Sequence, residues 1–144
     1  MYDNILIPYD GTKDGRRGAE HATELAAALD ATVHGLYVVE KGTNPWMSES
    51  MDDQLDRARE WGQEQLEDVG DMADDQGVDF VSATAVGPAA HKEINEYVEE
   101  EDMDLIVMGS GYYGRMGGLL GGTADKVVRT ADVPVTTLRR TEQE

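Results

Sequence analysis

At 144 residues the chain has the length of one domain, residues 1–144, with enough sequence to bury a substantial core. It has no cysteine, which excludes disulfides and thiolate metal sites, and no apolar run approaches the roughly 18 residues of a membrane span. Its 30 acidic residues against 12 lysines and arginines give a formal net charge of -18, which repels nucleic acids and anionic membranes. We therefore expect a soluble cytoplasmic protein with no nucleic acid and no membrane among its partners.

The excess of acid also bears on the source of the protein. Only four of the twelve cationic residues are lysines: Lys13, Lys41, Lys92 and Lys126. A high-salt cytoplasm favours such a surface, because concentrated salt screens the self-repulsion that opposes the compact state. We expect an extreme halophile, and no carboxylate needs a catalytic role to explain its presence.

The first half of the chain predicts two strands, each followed by a helix. Residues 5–9 form a short apolar strand that stops at Asp10-Gly11-Thr12, where the threonine can cap the next helix. Residues 32–39 form a second strand, apolar enough to be covered on both faces. From about Ser48, apolar residues recur at steps of three and four until Gly77 ends a long amphipathic helix. We interpret the acidic face of this helix as solvated.

The second half alternates strand and helix in the same way. Residues 80–86 form a third strand, and Pro88 lies in the first turn of the following helix, which proline prefers. The apolar run 105–108 predicts a buried parallel strand that stops at Gly109, and residues 135–138 form the last strand. Strands and helices in strict alternation predict an α/β fold with a five-stranded, mainly parallel sheet and helices on both faces.

The segment between the fourth strand and the last helix, which opens at Thr123, is the strongest functional signal. It contains seven glycines within fourteen residues: Gly109, Gly111, Gly114, Gly117, Gly118, Gly121 and Gly122. Glycines can turn backbone N–H groups toward a ligand, and a helix N-terminus adds unpaired donors. At the carboxyl end of a strand the pattern predicts an anion site for nucleotide phosphates, although such loops also form plain turns. A Walker-type NTPase is excluded, because no G-x-x-x-x-G-K-[ST] exists and Lys126 follows the threonine.

Six pieces of sequence occur in a familiar order and spacing: ILIPYDGT at 5–12, LYVV at 36–39, VGP at 86–88, DLIVMG at 104–109, GTADKVVR at 122–129 and VPV at 133–135. With them the chain resembles the universal stress protein family over essentially its whole length. The resemblance implies a Rossmann-like fold of the adenine nucleotide alpha hydrolase-like kind. It also implies an ATP-binding loop of the form G-x2-G-x9-G-[ST], whose second glycine falls here on Tyr112. Either Tyr112 obstructs a phosphate, or a shifted loop lets Gly111 or Gly114 serve instead.

The resemblance implies ligand contacts as well. It places Pro8, Tyr9, Asp10, Val38, Met108, Gly109, Gly122, Thr123 and Ala124 at the ligand. Asp10 would contact the nucleoside beside the Pro8-Tyr9 backbone, Val38 would border the adenine, and Met108 and Gly109 would line base and ribose. Gly122, Thr123 and Ala124 would hold phosphates at the start of the last helix. The ligand would be ATP, ADP or AMP, with or without Mg²⁺. In the alternative interpretation Asp10-Gly11-Thr12 is only a turn and cap, and Val38 and Met108 are core residues.

No catalytic constellation is evident, so we assign no catalytic residue. The three histidines, His21, His34 and His91, have no Cys, Ser or acidic partner at a recognisable spacing, and Trp46 and Trp61 fit packing, a lid or a subunit contact. We expect a homodimer joined through its last strand, Val135-Leu138, that binds an adenine nucleotide as a signal with at most weak hydrolysis. Two alternatives remain: a stress protein of the same fold that acts through protein contacts alone, and an adenylate-forming or adenylate-cleaving enzyme, which would need a catalytic lysine or a His-rich signature.

Overall fold

The computed structural model describes residues 2–41, 50–111 and 122–139, with the side chains of residues 50–52 left aside. Five strands and four helices alternate along them: β1 Asn4–Pro8, α1 Lys13–Leu29, β2 Thr32–Glu40, α2 Ser50–Asp75, β3 Phe80–Gly87, α3 Ala90–Glu100, β4 Leu105–Gly109, α4 Thr123–Thr130 and β5 Val135–Leu138. The strands form one sheet in the order β3-β2-β1-β4-β5, and every pairing is parallel. The predicted α/β fold is therefore confirmed.

Two helices cover each face of the sheet. Buried side chains of α1 and α2, among them Ala19 and Leu66, pack with Ile5 and Ile7 of β1 on one face. On the other face, α3 and α4 pack with a second set that includes Leu6 of β1. The central strands are thus apolar on both sides, which explains why their sequences do not alternate.

Local chemistry explains where several helices begin and end. Thr12 is the N-cap of α1, because its side chain accepts a hydrogen bond from the Gly15 N–H at 3.1 Å. Beyond α2, Gly77 has a φ of +69°, the left-handed conformation expected at a helix end. The expectation for Pro88 is wrong, because α3 begins at Ala90 with Ala89 as its N-cap, so the proline precedes the cap.

None of the described helices is long and apolar enough to cross a membrane.

Candidate functional site

The candidate site lies where β1 and β4 end side by side in the middle of the sheet. From β1 the chain passes through α1 to β2 on one side, and from β4 it passes through α4 to β5 on the other side. This reversal of direction opens a crevice at the carboxyl ends of the two strands, the usual ligand position in such sheets. Asp10 follows β1 and Gly109 ends β4, so both predicted segments reach this crevice.

Asp10 organises the turn between β1 and α1. Its Oδ1 accepts hydrogen bonds from the Thr12 backbone N–H at 3.0 Å and from the Thr12 hydroxyl at 2.6 Å. Gly11 between them has a φ of +79°, which favours glycine. The Asp10 carboxylate thus holds the residue that caps α1, while its Oδ2 makes no hydrogen bond with any of the described residues. One oxygen has a structural role, and the other is available to a ligand.

The residues predicted to line the base divide between the two faces of the sheet. Val38 and Met108 are fully buried and share the cluster on the α3 and α4 face with Ala124, so they form the floor of the site as core residues. Pro8 is also buried and pairs with Leu36 of β2. Close to the candidate site, β1, β2 and β4 are therefore closely packed and apolar at Pro8, Val38 and Met108.

The Tyr9 side chain lies on the opposite face of the sheet from Val38 and Met108. Its ring is fully buried in the cluster on the α1 and α2 face, and its hydroxyl lies 3.5 Å from the Asp68 Oδ2. Burial, and then the Asp68 charge, raise the pKa of Tyr9 to about 12. Its backbone N–H donates to the Leu36 carbonyl at 2.9 Å. The Tyr9 side chain thus lies away from the crevice, and its backbone is held to β2.

Gly109 and Gly111 face α1. A Cβ on Gly109 would collide with the backbone of Asp14, and a Cβ on Gly111 would collide with the Asp14 carboxylate. A Cβ on Gly18 would in turn stand 3.0 Å from the Gly109 N. These glycines therefore permit the close approach of α1 to the end of β4, a packing reason that sequence reasoning did not consider.

Asp14 is the residue at this site that sequence reasoning missed. Its Oδ1 is buried without a hydrogen-bond partner among the described residues, and its Oδ2 faces Gly111. The available signal was an acidic residue in the first turn of α1, just after the Thr12 cap. That signal indicates helix stabilisation and does not reveal the contact with the glycine segment.

The start of α4 matches the prediction. Gly122 is the N-cap with extended backbone (φ −65°, ψ 163°), and because it is glycine it makes no side-chain capping hydrogen bond. Thr123 and Ala124, the first two helical residues, are 8 % and 5 % exposed. Among the described residues, no capping side chain therefore meets the first backbone N–H groups of α4, which lie at the carboxyl edge of the sheet on the face that holds Val38 and Met108.

Several predicted residues give no further site. Tyr112, Gly114 and Trp46 lie outside the described residues. His34 contacts Tyr97, while His21 lies exposed on α1. No group of three or more His, Asp or Glu side chains that could hold a metal ion occurs in residues 2–41, 50–111 and 122–139.

Comparison with known proteins bears on the whole chain. A sequence model described as the Universal stress protein family matches residues 1–139. The chain belongs to this family. It is 34% identical to the universal stress protein MJ0531 of Methanocaldococcus jannaschii, over 100% of this chain and 86% of that protein.

Solved structures of universal stress proteins share the fold. The structure of MJ0577 from the same organism has a TM-score of 0.87 at 23% identity and covers 99% of both chains. A universal stress protein solved in complex with cAMP has a TM-score of 0.75 at 24% identity, over 95% of this chain and 97% of that one. The chain therefore shares its overall fold with these solved structures.

Proposed function

We propose that this universal stress protein binds an adenine nucleotide at the carboxyl ends of β1 and β4. The observation that carries the proposal is the uncapped start of α4 at Gly122, Thr123 and Ala124, beside the crevice. Backbone N–H groups and the positive end of a helix can bind phosphate without a lysine. A related protein solved in complex with cAMP supports the same ligand class.

The remaining contacts follow from the residues around the crevice. Asp10 Oδ2 would accept a hydrogen bond from a ribose hydroxyl, or contact a Mg²⁺ ion that accompanies the phosphates of ATP, ADP or AMP. Val38 and Met108 supply the apolar floor beneath the base and ribose. Gly109 would border the same part of the ligand, and Gly111 or Gly114 would complete the phosphate loop. The nucleotide acts as a signal in a stress response of the cytoplasm.

The proposed assembly is a homodimer through β5. This strand lies at the end of the sheet order, and β4 is its one partner among the described strands. An edge strand presents unpaired N–H and C=O groups, which a two-fold mate can satisfy by antiparallel pairing.

One observation favours the second candidate, a stress protein that acts through protein contacts alone. The carboxylate of Asp14 lies against Gly111, one of the glycines that would approach a phosphate. A negative charge there opposes an anionic ligand. The two candidates differ in whether the purified protein carries a nucleotide.

The test begins with native mass spectrometry of the purified protein for bound AMP, ADP or ATP, followed by calorimetry in molar KCl. Gly122→Asp supplies the sharpest variant, because aspartate at the N-cap stabilises α4 and also puts a carboxylate where phosphate would bind. We expect it to abolish ATP binding while adenosine still binds and the melting temperature does not fall. Gly122→Asn caps without charge and is the matched control, with a smaller loss. Absence of binding by the wild type and by Tyr112→Gly would overturn the proposal in favour of protein contacts.

A further inference from the structure

All four lysines of this acidic chain lie at the carboxyl edge of the sheet. Lys13 is the first residue of α1, Lys41 follows the last residue of β2, and Lys92 and Lys126 lie in the first turns of α3 and α4. We call these four residues the lysine rim. Since the chain has only these four lysines, none lies at the opposite edge of the sheet, where the helices end.

Three of the rim lysines, at the starts of α1, α3 and α4, lie where a cation is unfavourable for helix stability. Cations are favourable near helix C-termini and unfavourable near N-termini, where the helix dipole is positive. The last turns of α1, α2 and α3 nevertheless contain no basic residue, while their lysines, where present, occur at the start. Placement against a local stability rule is expected at functional sites.

Two of the rim residues are brought close to His91 by the packing of α3 on α4. The Asn95 Nδ2 donates a hydrogen bond to the Thr130 Oγ1 at 2.8 Å, which fixes the register of these two parallel helices. His91 and Lys126 lie one helical turn closer to the N-termini than Asn95 and Thr130. The same register therefore places His91 beside Lys126. The pKa of His91 is lowered by desolvation first and then by Lys126 and Lys92, consistent with a cluster of like charges.

Carboxylates do not neutralise this cluster by ion pairing. The ion pairs of the described residues join Arg16 to Asp68 and Arg59 to Asp56, away from His91, Lys92 and Lys126. Acidic groups on these elements include Glu40, whose charge opposes the lysines at His91, and the first-turn residues Glu93 and Asp125. The Glu93 carboxyl group lies back against Gly87 at the end of β3. His91, Lys92 and Lys126 therefore form a cluster at the carboxyl edge of the sheet, and no ion pair within the described part of the chain joins one of them to a carboxylate.

We propose that the lysine rim, with Lys126 and Lys92 beside His91 at its centre, binds the outer phosphate groups of a nucleotide polyphosphate. The inference rests on the proposed nucleotide site and extends it: the start of α4 holds the phosphate nearest the ribose, and the rim contacts those beyond it. Lysine ammonium groups bind phosphate oxygens as mobile point charges, so they suit an outer phosphate whose position varies. The rim also supplies local attraction within a protein whose overall charge repels anions. The ligand class is thus a nucleoside di- or triphosphate in preference to a monophosphate.

The test compares adenosine, AMP, ATP and inorganic tripolyphosphate by calorimetry at one fixed KCl concentration. Lys126→Gln and Lys92→Gln are the test variants. Arg129→Gln is the matched control, because it makes the same change of net charge in the last turn of α4. We expect each lysine variant to weaken ATP binding by about threefold to tenfold, AMP binding less and adenosine binding not at all. Arg129→Gln should leave all four affinities unchanged.

The possible results separate this inference from the proposed function. If ATP and AMP bind the wild type but their affinity ratio is the same in both lysine variants, the rim has no phosphate role, although the nucleotide site stands. If no adenine compound binds while tripolyphosphate does, and Lys126→Gln weakens it, the rim is an anion site and the nucleotide proposal fails. If Arg129→Gln weakens ATP binding as much as Lys126→Gln, the effect comes from net charge and the inference is overturned.

Discussion

Gly18 of α1 lies against Gly109 at the end of β4, so closely that a Cβ on Gly18 would stand 3.0 Å from the Gly109 N. The contact joins the first helix directly to the start of the glycine segment. A Cβ on Gly109 would itself collide with the Asp14 backbone, so packing requires glycine at 109 and leaves little room for a side chain at 18.

Gly109→Ala should therefore destabilise the fold. An extra methyl group would force α1 away from β4, and overpacking of this kind costs about 1–3 kcal/mol in the free energy of unfolding. Chemical denaturation measures the loss. Ser110→Ala, a change at the exposed neighbouring residue, is the control and should have little effect. Equal stability of Gly109→Ala and wild type would show that α1 does not hold this close position in solution.

His34 should make stability depend on pH. Its Nδ1 lies 2.7 Å from the Tyr97 hydroxyl, and desolvation lowers the pKa of His34 while the Glu101 charge opposes this. Burial raises the pKa of Tyr97 to about 12, so its hydroxyl keeps its proton and can donate to a neutral imidazole. Because the folded pKa lies below the unfolded value, this contribution is complete above about pH 6.5 and is lost as pH falls through the folded pKa.

The measurement for His34 is the free energy of unfolding across this range in wild type and His34→Gln. The variant should lose a pH dependence of at most about one proton, because glutamine does not titrate there. His21→Gln, at an exposed position on α1, should keep the wild-type profile. If both variants show the same profile as wild type, His34 keeps an ordinary pKa in the folded protein.

Stability should rise with salt. The formal net charge is -18, and the Arg16–Asp68 and Arg59–Asp56 ion pairs join side chains that are 42% to 67% exposed, where such pairs contribute little. We expect the melting temperature to increase steadily from dilute buffer to molar KCl as self-repulsion is screened. Sucrose at matched osmolality distinguishes screening from a general solute effect. A melting temperature indifferent to KCl would remove the proposed halophilic origin.

The β5 dimer can be tested at a single backbone N–H. The Ile106 and Ser110 N–H groups donate to the carbonyls of Pro134, just before β5, and of Leu138 at its end, so these two carbonyls point toward β4. By alternation, the N–H and C=O of Thr137 point to the open edge. Thr137→Pro should leave the fold intact and convert the dimer to a monomer in light scattering, whereas Thr137→Ala keeps the N–H and the dimer. A monomeric wild type at micromolar concentration, or a dimer that survives Thr137→Pro, would rule out this edge.

The sequence was sufficient for features that depend on neighbours in the chain. The alternation of apolar runs with helical periods predicts the five strands, and glycine followed by Thr123 predicts the start of α4. What it did not predict depends on contacts between distant segments. Gly109 is glycine partly because of Asp14 and Gly18 on another element, and no local pattern shows that approach. Pro88 was misplaced by two residues because proline is acceptable both before a cap and in a first turn.

The described ends of the glycine segment belong to opposite helical layers: Gly109 and Gly111 contact α1, while Gly122 begins α4. A ligand that shifts one end therefore acts on a helix that the sheet separates from the other end. The two helical layers on either side of the sheet are connected, since the glycine segment contacts α1 at one end and leads into α4 at the other. Thermodynamic reciprocity then applies to the proposed nucleotide: if its binding changes the affinity for a partner that displaces α1, that partner changes nucleotide affinity by the same factor. A partner bound to the α1 and α2 layer would then respond to a ligand bound on the α3 and α4 layer.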